Sequence, residues 1–112
     1  MNERRKAERH PVHISLSICD LYQQNQDGIS GLDTPIAVEN LSRGGLCFVS
    51  EGIFPLNYYF NAALNLDENT KPIFTIVKII RSEIAERDLY RYGCEFTNLP
   101  EDYANLLDTY SV

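Results

Sequence analysis

Val12, Ile14, Leu16 and Ile18 alternate with His13, Ser15 and Ser17. A period of two predicts a half-buried β-strand. Residues 23–34 are polar and carry Asp27-Gly28 and Ser30-Gly31, which mark a loop. Pro35 to Glu39 predicts a second short strand, broken by Asn40-Leu41-Ser42-Arg43-Gly44-Gly45, and Leu46 to Val49 a third. Tyr58, Phe60, Ala62, Leu64 and Leu66 alternate with polar or small neighbours and predict a fourth. Ile73 to Arg81 is dense in β-branched residues and predicts a fifth, after which Glu83 to Asp88 turns the chain back. Tyr90 to Phe96 predicts a sixth, with Gly93 inside it marking a bulge or a close backbone approach.

The period changes after Asn98-Leu99-Pro100, where Tyr103, Leu106, Leu107 and Tyr110 recur at helical spacing. Pro100 suits a first helical turn, and Glu101 and Asp102 complement its positive end. Six short strands and one terminal helix predict a six-stranded antiparallel β-barrel, closed or nearly so. The barrel occupies 12–112, with its C-terminal helix at about 100–110. Residues 1–11 are expected to form a separate, flexible arginine-rich arm.

The 112 residues are 44% hydrophobic and 23% charged, ordinary for one globular domain. No apolar run is long enough to span a bilayer, and the charged N-terminus lacks the apolar stretch of a secretory signal, so no membrane insertion is expected. Cys19, Cys47 and Cys94 are odd in number and widely spaced, which reads as reduced core thiols in a cytoplasmic protein. His10 and His13 lack the further ligands a zinc site needs, and no Gly-x-Ser-x-Gly nucleophile turn occurs; neither a metal nor an enzyme is expected.

The net charge of −6 is unevenly spread. Residues 1–13 set Arg4, Arg5, Lys6 and Arg9 against Glu3 and Glu8, a net of +2 that leaves −8 on the rest. An acidic body with a short basic arm suits a compact anion better than a DNA or RNA polymer.

Two segments carry chemistry. Arg4-Arg5-Lys6-Ala7-Glu8-Arg9 presents guanidinium forks that match phosphate oxygens and the O6/N7 edge of guanine; the plain alternative is a solvated terminal charge run. Asn40-Leu41-Ser42-Arg43-Gly44-Gly45 combines small polar side chains with glycines that permit positive φ and close approach; the plain alternative is a tight turn between strands.

Arg5-x-x-x-Arg9 followed some thirty residues later by Asn40-x-Ser42-x-x-Gly45 resembles the signature of the PilZ domain family. The stretch Tyr92-Gly93-Cys94-Glu95-Phe96-Thr97-Asn98-Leu99-Pro100-Glu101-Asp102 is similar to that family's last strand and the start of its terminal helix. The resemblance implies a barrel that binds the bacterial second messenger cyclic di-GMP. It implies that Arg5 and Arg9 contact phosphate and guanine, that Asn40 and Ser42 hydrogen-bond the ligand, and that Gly44 and Gly45 let the backbone approach it. Arg4 would favour a stacked ligand dimer. Arg43 and Arg81 are weaker candidates for the rim of the pocket, with solvent-facing charge as their alternative.

The expected function is that of a ligand-switched adaptor, its arm ordering over the nucleotide and a downstream protein reading the result. Motility, polysaccharide export and pilus function are all compatible with such a receptor. The rivals are a PilZ-like interaction module that binds no nucleotide and a small nucleic-acid-binding barrel.

Overall fold

A computed structural model describes residues 12–66 and 71–108. Six strands form one antiparallel sheet: β1 (His13–Ile18), β2 (Ile36–Leu41), β3 (Gly45–Ser50), β4 (Tyr59–Asn65), β5 (Ile73–Glu86) and β6 (Leu89–Thr97). A short 3₁₀ turn, Gln26–Gly28, lies between β1 and β2, and helix α1 (Glu101–Leu107) follows β6. The strand order is β1-β4-β5-β6-β3-β2. The sheet curls until its two edges, β1 and β2, approach one another, but no ladder joins them among the described residues. The barrel is therefore open along one seam, and it is bridged by side chains in a shared core instead of backbone hydrogen bonds.

Alternation in the sequence becomes two faces in space, because side chains along a strand point to opposite sides. Ile14 and Leu16 of β1, Phe60, Ala62 and Leu64 of β4, and Ile73, Val77 and Ile79 of β5 all point inward and are buried. Leu46 and Phe48 of β3, Tyr92 and Cys94 of β6, and Leu107 of α1 join them. Phe48, Phe54, Phe60 and Tyr92 form the aromatic centre, with Phe54 meeting both Phe60 and Tyr92 edge to face. The Tyr92 hydroxyl donates to the Gly52 carbonyl at 2.7 Å and accepts from the Phe54 amide at 3.2 Å, so its burial leaves no polar group unpaired.

β5 runs to Glu86, past the turn expected at Glu83–Asp88; the chain reverses only at Arg87-Asp88, where Asp88 takes a positive φ of 60°. This extension pairs with β6 as a ribbon that stands off the core, so its residues show no buried face and no apolar alternation. Likewise β2 continues through Asn40 and Leu41, expected as a break. α1 ends at Leu107, and Tyr110 lies outside the described residues. No helix among the described residues is long and apolar enough to cross a membrane.

Candidate functional site

The β2–β3 hairpin turns through Arg43 and Gly44. Ser42 and Gly45 close it: the Ser42 amide donates to the Gly45 carbonyl at 2.9 Å and the Gly45 amide to the Ser42 carbonyl at 3.3 Å. The Ser42 Oγ accepts from the Gly44 amide at 3.3 Å, which leaves its own O–H as a donor. The Gly44 carbonyl accepts from the Phe96 amide at 3.1 Å, pinning the turn to β6.

Neither glycine of this turn uses a positive φ; among the described glycines only Gly31 does. Gly45 is required for a different reason. A Cβ there would run into the Cys94 carbonyl oxygen and stand 2.9 Å from Glu95 Cα, because the β6 backbone occupies the direction a side chain would take. Gly44 faces open space, its nearest neighbour being Ser42 Oγ at 3.9 Å.

Register brings a distant residue to this turn. Asn40 pairs with Cys47, Cys47 with Gly93, and Gly93 with Arg81, so one cross-strand row on the outer face runs Asn40–Cys47–Gly93–Arg81. Two irregularities set that alignment. The β2–β3 register shifts between Val38 and Asn40, and the β5–β6 register shifts between Ile79 and Arg81. The extra residue at Ile80 is what turns Arg81 outward after the buried Ile79. The bulge that Gly93 hinted at therefore sits on the partner strand, and Gly93 itself is the close approach: Arg81 Nη2 lies 2.9 Å from where its Cβ would be.

Asn40, Ser42, Gly44, Gly45, Cys47, Arg81 and Gly93, with Glu95 at one side, line a single open concavity of about 260 Å³. The space that side chains would take at Gly45 and Gly93 is already filled, by the Cys94 carbonyl at one and by the Arg81 guanidinium at the other. Cys47 belongs to this surface; it sits on the outward parity of β3 and not in the core expected from its apolar neighbours. Cys94, on the inward parity, is buried, and that burial pushes its thiol up to about 12, so it offers no reactive group to the site.

The arginines differ in what they are committed to. Arg43 turns away from the concavity to α1, donating to Asp108 Oδ2 at 2.8 Å, Asn105 Oδ1 at 2.7 Å and Glu101 Oε2 at 3.3 Å. Arg91 forks onto Glu39 at 2.8 and 3.3 Å and reaches Glu83 at 3.2 Å. Arg81 makes no ion pair among the described residues; its Nη2 donates to Cys47 Sγ at 3.2 Å. Arg4, Arg5 and Arg9 lie outside the described residues.

A larger hollow of about 580 Å³ surrounds the exposed Phe74 on the β1–β4–β5 side, but no charged residue lines it. Size does not decide between the two for an anionic ligand, which needs a cation and hydrogen-bond donors; only the smaller concavity supplies both. Of the residues lining it, sequence reasoning missed Cys47. Gly93 was noted as a close approach but could not be linked to the turn, because the link depends on cross-strand register.

A curled six-stranded antiparallel sheet with a C-terminal helix and a polar concavity on its outer face defines a small, open β-barrel domain. The family is given by comparison: a PilZ domain model matches residues 3–112, essentially the whole chain, and the protein belongs to the PilZ domain family. No curated protein and no solved structure matches it. The family is one of binding and adaptor modules, known for receptors of cyclic di-GMP.

Proposed function

We propose that this protein binds cyclic di-GMP in the concavity of the β2–β3 turn and acts as a ligand-switched adaptor in the cytoplasm. The observation that carries the reading is the convergence of Asn40, Ser42, Gly44 and Gly45 with Arg81, a cation paired with no carboxylate among the described residues, around one hollow. Asn40 and the Ser42 hydroxyl supply hydrogen bonds to guanine or phosphate. Gly44 leaves space above the turn, and Gly45 lets its backbone lie close to β6. Arg5 and Arg9 add forks to phosphate and to the guanine edge, and Arg4 favours a stacked pair of ligands. Ordering of residues 1–11 over the ligand creates the surface that a downstream protein reads, and the entropy lost in that ordering holds the affinity below extreme values.

The test is a calorimetric comparison of cyclic di-GMP, linear di-GMP and a short oligonucleotide, each titrated into the intact protein and into Arg9→Ala. Saturable binding of the cyclic ligand alone, abolished by Arg9→Ala, is the expected result. Equal or tighter binding of the oligonucleotide would replace this reading with a nucleic-acid-binding barrel. Absence of any binding would leave a protein-only interaction module.

A further inference from the structure

We propose that Arg81 is a phosphate-binding cation of the concavity, kept available by resting on a thiol instead of a carboxylate and aimed by the missing side chain at Gly93. This inference rests on the nucleotide-binding reading and names a residue that its signature motifs leave out.

Three other arginines are described, and one of them, Arg87 at the β5–β6 reversal, does not line the concavity. Arg43 and Arg91 each hold two carboxylates, so their charge is already answered within the fold. Arg81 has only Cys47 Sγ at 3.2 Å. A thiol sulfur is a weak acceptor. Exchanging it for a phosphate oxygen replaces a weak hydrogen bond by a charge-assisted one. The parked position therefore fixes the guanidinium while leaving its charge uncommitted.

The bulge at Ile80 turns Arg81 to the outer face, and pairing sets it across from Gly93. Arg81 Nη2 and Cζ occupy the space in which any larger residue would carry its Cβ, at 2.9 and 3.0 Å from that point. The side chain thus folds across β6 toward Cys47 and the turn. It does not extend straight into solvent. Asn40 stands at the far end of the same row, so a ligand lying along the row meets an amide at one end and a cation at the other. Glu95 is the carboxylate that also lines the concavity, in the neighbouring row opposite Gly45 and Lys78, and it makes no ion pair with Arg81.

The structure also supplies variants that separate this role from a structural one. An alanine at position 93 collides only with the flexible end of Arg81, so the fold can keep its shape while the guanidinium is displaced. An aspartate at position 47 gives Arg81 the carboxylate it lacks. An alanine at position 47 merely removes the resting place.

The experiment is calorimetric titration of cyclic di-GMP at several salt concentrations into the intact protein, Arg81→Ala, Gly93→Ala, the Arg81→Ala/Gly93→Ala double variant, Cys47→Asp and Cys47→Ala, with circular dichroism confirming that each is folded. Arg81→Ala should weaken binding roughly tenfold or more and make the remaining affinity less sensitive to salt, since one screened charge pair is lost. Gly93→Ala should weaken binding, and the double variant should bind no more weakly than Arg81→Ala alone, since both changes remove the same contact. Cys47→Asp should behave like Arg81→Ala, and Cys47→Ala should stay within about twofold of the intact protein, because loss of a weak acceptor costs little. Intact protein that binds while Arg81→Ala binds equally well, with an unchanged salt slope, overturns this inference alone. Intact protein that binds no cyclic di-GMP overturns the nucleotide-binding reading and this inference with it.

Discussion

Arg43 Nε donates a 2.8 Å hydrogen bond to Asp108 Oδ2 across 65 residues of sequence, tying the β2–β3 turn to the end of α1. Its other nitrogens reach Glu101 and Asn105 on the same helix. One side chain in the middle of the candidate turn thus faces the helix while its neighbours Ser42 and Gly44 face the concavity. The helix carries no side-chain cap hydrogen bond at its N-terminus and no basic residue in its last turn, so this arginine supplies it with a polar tether from outside.

Arg43→Ala should therefore loosen α1 without removing a ligand contact. Both partners are largely exposed, and such pairs contribute little to global stability. The expected result is a small fall in melting temperature, faster amide exchange in α1, and affinity for cyclic di-GMP close to that of the intact protein. A large loss of affinity with α1 intact would place Arg43 on the ligand.

Gly45→Ala and Gly44→Ala should part sharply. At position 45 the new methyl group meets the Cys94 carbonyl and the Glu95 backbone, which can yield only by separating β3 from β6. Overpacking of this kind costs about 1–3 kcal/mol. At position 44 nothing stands within 3.9 Å of the added carbon, so stability should be nearly unchanged. Urea denaturation of the two variants measures the difference.

Tyr92→Phe should destabilise the barrel by about 1–3 kcal/mol, although it removes a single oxygen. That oxygen joins the Gly52 carbonyl to the Phe54 amide inside the core, and removing it takes one hydrogen bond from each. Denaturant midpoints with unchanged slopes would confirm a loss of stability without a change in fold.

Alkaline pH should weaken the fold through Cys94. Its thiol is raised from the ordinary 9 to about 12, chiefly by burial. The unfolded chain then releases this proton more readily than the folded one, so the contribution to stability is whole below about pH 9 and declines as pH rises toward 12. Cys94→Ala, whatever its own cost in packing, should show a flatter decline over this interval. Thermal melts from pH 8 to 11 would reveal it as a difference in slope.

Much of the barrel was legible in the sequence because inward positions are apolar and outward ones are not. Val12 to Ile18 and Tyr58 to Leu66 show this directly, and their buried residues are the alternating ones. The Ser82–Glu86 part of β5 was not legible, because a ribbon standing off the core needs no apolar face. Tyr92 lies in the core, its hydroxyl satisfied by backbone groups whose proximity no local pattern reveals.

For the candidate site, Asn40, Ser42, Gly44 and Gly45 were legible as a motif, since they are contiguous. Arg81 was named only as a rim candidate, because one bulged residue at Ile80 decides which face it takes. Arg43 has the same charge and lies inside the motif, yet it points to α1, a fact set by tertiary packing. Cys47 offered no signal, since an isolated thiol among apolar residues reads as core.

The central claim is that the β2–β3 turn and the Asn40–Cys47–Gly93–Arg81 row bind cyclic di-GMP. The most direct measurement is a titration of the ligand into ¹⁵N-labelled protein, followed by amide chemical shifts. Saturable shifts concentrated at Ser42, Gly44, Gly45, Cys47 and Gly93, with the amides around Phe74 undisturbed, are the predicted result. Shifts centred on the Phe74 hollow, or no shifts at saturating ligand, would contradict the account.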